Sequence, residues 1–193
     1  LQWLAPGSAA RRHFPISQKT IRTHPTTETT RLLASALHLY GLTRHETGWA
    51  CVDAVYRNLD KTVSQRLRKP GYWKGIYAYE DGALESFRIA KKRGISCFYE
   101  LPIAYWRLGK QIPEEEAERQ PEWAMTLSAL RDSPEKLQRK DEEIARADAV
   151  FCASSFTRKS LELFPESLKT PIHVVPYGAP EPPNQSIQKQ KTD

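Results

Sequence analysis

The chain has 193 residues, of which 39% are hydrophobic and 27% charged, with a formal charge of +6. At roughly 100 to 200 residues per domain this leaves room for one domain with a tail and excludes a second full-sized one. Five Trp, eight Tyr and six Phe are enough apolar material for a core, which excludes disorder throughout. No apolar run approaches the roughly 18 residues that span a bilayer. The short apolar opening, Leu1 to Ala5, is followed rather than preceded by basic residues and does not read as a signal peptide. The first residue is not Met, which suggests a fragment or a processed chain.

In chain order, residues 1–25 contain Pro6, Gly7, Pro15 and Pro25 and show no period beyond a short strand around Thr20 to Thr23. Thr26 and Thr27 offer capping hydroxyls to a helix reaching Tyr40, stopped by Gly41 and carrying His38 within it. Val52, Val55, Tyr56, Leu59, Val63 and Leu67 recur at helical spacing and predict a helix from Ala50 to Arg68, ended by Pro70-Gly71.

An alternating rhythm follows. Strands are expected at Gly75–Tyr79, Ile95–Tyr99, Ala149–Cys152 and Ile172–Val175, with helices at Ala83–Arg93 and Ser155–Phe164. Between the second and third strands, Pro113–Ala117, Trp123–Leu130 and Pro134–Ala147 read as helical. The pattern implies an α/β fold, a Rossmann-like parallel sheet with helices on both faces. Residues 26–178 form this domain, and the polar, Pro-rich residues 179–193 a tail or truncated linker.

Charge and cysteines bound the partners. Residues 1–75 hold twelve Lys/Arg against four Asp/Glu, so the positive excess lies in the first third. Such a stretch could meet an anionic membrane surface; with no aromatic-interleaved motif or reading helix, no nucleic-acid partner is expected. Cys51, Cys97 and Cys152 lie far apart, which argues against a disulfide framework or a zinc site and favours a reducing cytoplasm. The five histidines show no ligand spacing, so no metal is expected. Without Gly-x-Gly-x-x-Gly or a Walker loop, no dinucleotide or ATP fingerprint exists.

Loops at the carboxyl ends of parallel strands form the binding crevice. The first carries Glu80, Asp81 and Gly82, whose carboxylates could accept sugar hydroxyls, or Asp81 could cap the next helix. The second carries Glu100, Tyr105 and Trp106, an acceptor beside aromatic faces that could hold a carbohydrate ring or simply pack. The third, Ser154 and Ser155, could meet phosphate or sugar or serve as a cap. Glu114-Glu115-Glu116 after Pro113 reads as a helix N-terminus, and Asp141-Glu142-Glu143 with Arg139, Lys140 and Arg146 as a solvated helical face.

The order of these segments resembles the N-terminal domain of family 4 glycosyltransferases. The resembling elements are Ile76–Leu84, Ala90–Ile95 leading to Tyr99-Glu100-Leu101-Pro102, Glu115-Glu116, Gln120–Trp123, Lys140–Asp148, Cys152–Thr157 and Val175-Pro176-Tyr177-Gly178, over about 100 residues. The resemblance implies one half of a GT-B architecture. Its N-terminal half holds the acceptor, and a second Rossmann-like half holds a nucleotide-sugar whose sugar is transferred with retention and without a catalytic metal. Glu100 stands near the place of a family His and becomes the catalytic candidate by position alone. Pro176, Tyr177 and Gly178 correspond to the interdomain hinge.

The family's first glycine loop has no counterpart in residues 1–25, and only fifteen residues follow Gly178. The expectation is therefore an acceptor-binding half that is inactive alone, binding a glycan, lipid or small-molecule acceptor but no cofactor of its own. It would work with a donor-binding domain or subunit. The alternative is a non-catalytic Rossmann-like module that binds a glycan, an anionic lipid or a protein.

Overall fold

A computed structural model describes residues 20–127 and 131–178. The irregular start, apart from its last residues, the tail and the end of the expected Trp123–Leu130 helix lie outside the described residues. The chain divides into two compact units between Val55 and Tyr56.

The first unit contains α1 (Pro25–Ala36), α2 (Tyr40–Thr43) and the opening turn of α3 (Val52–Leu67). Thr20 to Thr23 form no strand. α1 starts on Pro25, whose fixed φ and missing N–H suit a first helical position, so no threonine hydroxyl is needed as cap. It also ends four residues early. His38, expected inside the helix, lies beyond it with φ at 54°, a left-handed turn that lets the Leu39 amide reach Ala34 O at 2.8 Å.

The second unit is α/β. From Tyr56 it holds the rest of α3, then β1 (Gly75–Tyr79), α4 (Leu84–Lys92), β2 (Ser96–Leu101), α5 (Trp106–Arg119), a 3₁₀ segment (Pro121–Thr126), α6 (Pro134–Ala145), β3 (Ala149–Cys152), α7 (Ser155–Ser160) and β4 (Ile172–Val174). The four strands are all parallel, in the order β1-β2-β3-β4, a Rossmann-like sheet. Sequential order has a consequence for the layers: crossovers of one hand all land on the same face. Phe87 and Ala90 of α4, Ile144 of α6, Leu161 after α7 and Leu67 of α3 join one cluster with Cys97, Tyr99, Leu101, Val150 and Cys152. Among the described residues, the second face takes none of these side chains. It presents Tyr77, Tyr79, Phe98 and Phe151, with Tyr77 and Tyr79 about half exposed at 52% and 50%.

Three helical expectations are corrected. α5 runs through Pro113 without ending, so Glu114, Glu115 and Glu116 sit in its later turns rather than at a start. There they meet Lys110 at 3.6 Å, Gln111 at 3.0 Å and Arg119 at 3.2 Å, each one turn away. The stretch after Pro121 is a 3₁₀ turn, and α7 stops at Ser160 before a second one over Leu161–Leu163.

Candidate functional site

The carboxyl ends of the strands enclose a cleft of about 530 Å³. Period-two alternation places Tyr77 and Tyr79 on the same side of β1, and parallel register sets Tyr79 beside Glu100 and Glu100 beside Phe151. Val175 extends the last pairing by donating to Cys152 O at 2.8 Å, and this turns Pro176, Tyr177 and Gly178 across the strand ends as the fourth wall. The three residues expected as a hinge thus line the cleft.

Glu100 stands at the centre, 6% exposed. Its Oε1 accepts from the Tyr177 hydroxyl at 2.7 Å and its Oε2 from the Tyr77 hydroxyl. The hydrogen bond to Glu100, with burial second, pushes the Tyr177 phenol up to about 12. Burial first and Glu100 second raise Tyr77 further, and Tyr79 rises through burial with the Glu100 charge beside it. All three phenols therefore remain donors at neutral pH. A carboxylate oxygen that accepts one hydrogen bond keeps a further lone pair, so Glu100 can accept from a guest hydroxyl while the tyrosines hold its plane. The rings of Tyr77, Phe151 and His173 form a row across the strands on this face, with centroids 5.7 Å and 5.4 Å apart.

Glu80 and Asp81 do not join this group. Both turn to Lys140 of α6, whose ammonium lies 3.3 Å from Glu80 Oε1 and 3.7 Å from Asp81 Oδ2, with Asp132 as third carboxylate at 3.7 Å. Glu80 and Lys140 are buried. Burial raises the Glu80 carboxyl against the pull of Lys140, whereas Lys140 rises because its three carboxylates outweigh burial.

Asp81 does not cap α4 either; with φ at 68° it only turns the chain. The cap comes from far away. Glu143, fully buried on α6, accepts from the amides of Asp81 at 2.9 Å and of Ala83 and Leu84 at 3.1 Å each. Asp60 of α3 accepts from Glu85 and Ser86 at 2.8 Å each. The face read as solvated is thus an internal one: Lys140 and Glu143 are buried, and Asp141 is committed elsewhere.

That commitment decides the aromatic pair. Asp141 Oδ1 accepts from Tyr105 OH at 2.6 Å and Trp106 Nε1 at 2.5 Å, while Arg107 lies over the Trp106 ring at 4.4 Å. Tyr105 is fully buried. Ser154 accepts from the Thr157 amide at 3.1 Å as the N-cap of α7, and Ser155 is exposed on its first turn. Of the residues singled out in the sequence, then, the structure brings together Glu100, Pro176, Tyr177 and Gly178. It adds Tyr77, Tyr79 and Phe151, whose signal was alternation: aromatic residues at every second position of strands whose other side packs into the core.

Comparison with protein-family models, with curated proteins and with solved structures returns no match.

Proposed function

We propose that this chain is the acceptor-binding half of a retaining glycosyltransferase, receiving a sugar from a nucleotide-sugar held by a separate donor-binding domain or subunit. The observation that carries the reading is Glu100, held between the Tyr77 and Tyr177 hydroxyls at the strand ends. A fixed carboxylate accepts hydrogen bonds from sugar hydroxyls, and exposed tyrosine faces take the apolar side of a pyranose ring. A cleft of about 530 Å³ has room for one or two such rings.

The donor belongs elsewhere, because the amino end of α4, where a nucleotide phosphate would find free amides, is already filled by Glu143 and Asp60. Transfer needs both halves closed around the reacting atoms, so the chain alone is silent and requires no metal or cofactor of its own. Glu100 orients the acceptor hydroxyl in this scheme. The acceptor is a glycan, a lipid-linked sugar or a small polyol, and the setting is the cytoplasm, in keeping with three free, buried cysteines. No helix among the described residues is long and apolar enough to cross a membrane.

Saturation-transfer NMR against a panel of mono- and disaccharides tests the reading. Ring-proton saturation that disappears in Glu100→Gln supports it. Tight calorimetric binding of a UDP-sugar to this chain alone would overturn the division of labour. Saccharide binding with no transfer when a donor half is supplied would leave the non-catalytic module, the reading favoured by a carboxylate with both oxygens already engaged.

A further inference from the structure

The opposite end of the sheet carries a different surface. From Lys61 to Tyr79 the sequence holds five Lys or Arg and no Asp or Glu. The turn between α3 and β1, Arg68-Lys69-Pro70-Gly71-Tyr72-Trp73-Lys74, lies at the amino ends of the strands, where the Lys74 carbonyl accepts from Ser96 at the start of β2. Tyr72 is fully exposed and Trp73 is 44% exposed. A Cβ at residue 71 would stand 2.7 Å from Trp73 Nε1, so Gly71 is what lets the indole lie against the turn.

The fold adds cations to this turn. Arg93, at the end of α4, donates to the Leu67 carbonyl and to the Lys69 carbonyl at 2.8 Å, which brings Lys92 and Arg93 alongside. Arg66, Arg68, Lys69, Lys74, Lys92 and Arg93 are all exposed. The nearby carboxylate of Asp148 does not neutralise them, because it is engaged by Lys91 at 2.5 Å and by the Cys97 amide at 2.8 Å.

We infer that this turn is a peripheral membrane anchor that docks on an anionic lipid bilayer. Tyr and Trp rings partition at the headgroup boundary, and a surrounding ring of Lys and Arg is drawn by anionic lipid. Charge complementarity favours a lipid surface over nucleic acid because the aromatic residues sit at the tip with cations around them, the order of an interfacial wedge rather than of a groove that tracks phosphates. It gives four of the twelve cations in residues 1–75, Arg66, Arg68, Lys69 and Lys74, an address. The cleft lies at the other ends of the strands, so the docked protein keeps it open to water. The inference is independent of the sugar-transfer reading.

The test is sedimentation of the whole chain with vesicles of phosphatidylcholine alone and with about 30% phosphatidylserine, at low and at about 0.5 M salt. The expected result is binding to the anionic vesicles only, lost at high salt. Binding should fall about fivefold for each cation removed, so Lys69→Gln with Lys74→Gln loses about 25-fold. Tyr72→Ala, at a fully exposed side chain, weakens binding at unchanged circular dichroism. Equal binding to neutral vesicles, or no effect of these substitutions, overturns the anchor. So does tighter binding of a duplex RNA that is lost with the same substitutions, which would reassign the surface to nucleic acid.

Discussion

The Tyr177 hydroxyl donates to Glu100 Oε1 at 2.7 Å across 77 residues of sequence, and so ties the segment leaving β4 to the end of β2. A charge-assisted bond of this kind in a half-buried cleft is worth about 1.5–3 kcal/mol. Its presence ties the chain's exit from the sheet to the group expected to meet the acceptor.

The phenols report this directly. Glu100 and burial hold Tyr177 at about 12, above the ordinary 10. A raised phenol favours the fold fully below pH 10, and that contribution is lost as pH climbs from there towards 12. In Glu100→Gln the largest cause of the Tyr177 shift is gone, and with it the cause second to burial for Tyr77, so both phenols ionise at lower pH. Absorbance at the tyrosinate band near pH 11 should be higher in the variant than in the parent. Superimposable titrations would mean that Glu100 does not hold these hydroxyls in solution.

The cap of α4 is a second long-range relationship with a measurable cost. Glu143→Ala strands the amides of Asp81, Ala83 and Leu84, at about 1–3 kcal/mol each when buried, and urea unfolding should show a loss of at least about 3 kcal/mol. Burial, with backbone amides opposing it, pushes the Glu143 carboxyl up to about 7. The folded form therefore binds this proton more tightly than the unfolded one. The contribution is full below about 4.5 and is lost as pH rises through about 7, a slope worth about 3 kcal/mol in total. Glu143→Gln should remove that slope from unfolding free energies measured between pH 5 and 7.5.

These relationships also mark where the sequence stops being readable. β1 and β3 were legible to the residue, because short apolar runs such as Ala149-Val150-Phe151-Cys152, set between Asp148 and the Ser154 cap, have few alternatives. Glu143 was not. A carboxylate between Glu142 and Ile144 looks solvated by spacing alone, and only tertiary packing turns it towards the amides of α4. Pro113 misled for a related reason: proline ends helices on average, yet α5 continues through it. Glu100 was legible as a candidate from its position at a strand end. Tyr77 and Tyr79 were hidden in the expected Gly75–Tyr79 strand, since which of its two faces joins the core depends on strand order.

Lys140 offers a sharper test of the interior than any surface pair. Removing it leaves Glu80, Asp81 and Asp132 without their shared cation, and Lys140→Met should cost about 3–5 kcal/mol. Adding Glu80→Gln to that variant should restore part of the loss, because the buried carboxylate is then neutral. If the double variant is no more stable than Lys140→Met, the charge pairing is not what the lysine supplies. Exposed pairs such as Arg119–Glu116 should change stability by less than about 1 kcal/mol.

The cysteines test whether the core stays closed. Burial pushes the Cys97 and Cys152 thiols up to about 11, so only about one in a thousand is thiolate at pH 8. Cys51 is buried as well, its sulfur accepting from the Ala54 amide at 3.3 Å. Native protein should therefore label slowly with a thiol reagent at pH 8 and yield three thiols at once in guanidinium. Cys152 is the informative one, because it stands at a strand end beside the cleft yet its side chain is 1% exposed, packed in the core cluster with Leu101 and Val150. Slow labelling there, unchanged by Tyr177→Phe, is the outcome expected if the helix-covered side of β3, and not the exit segment, shields the sulfur. Rapid labelling in the parent chain would mean that the helices packed on this face of the sheet open readily in the native state.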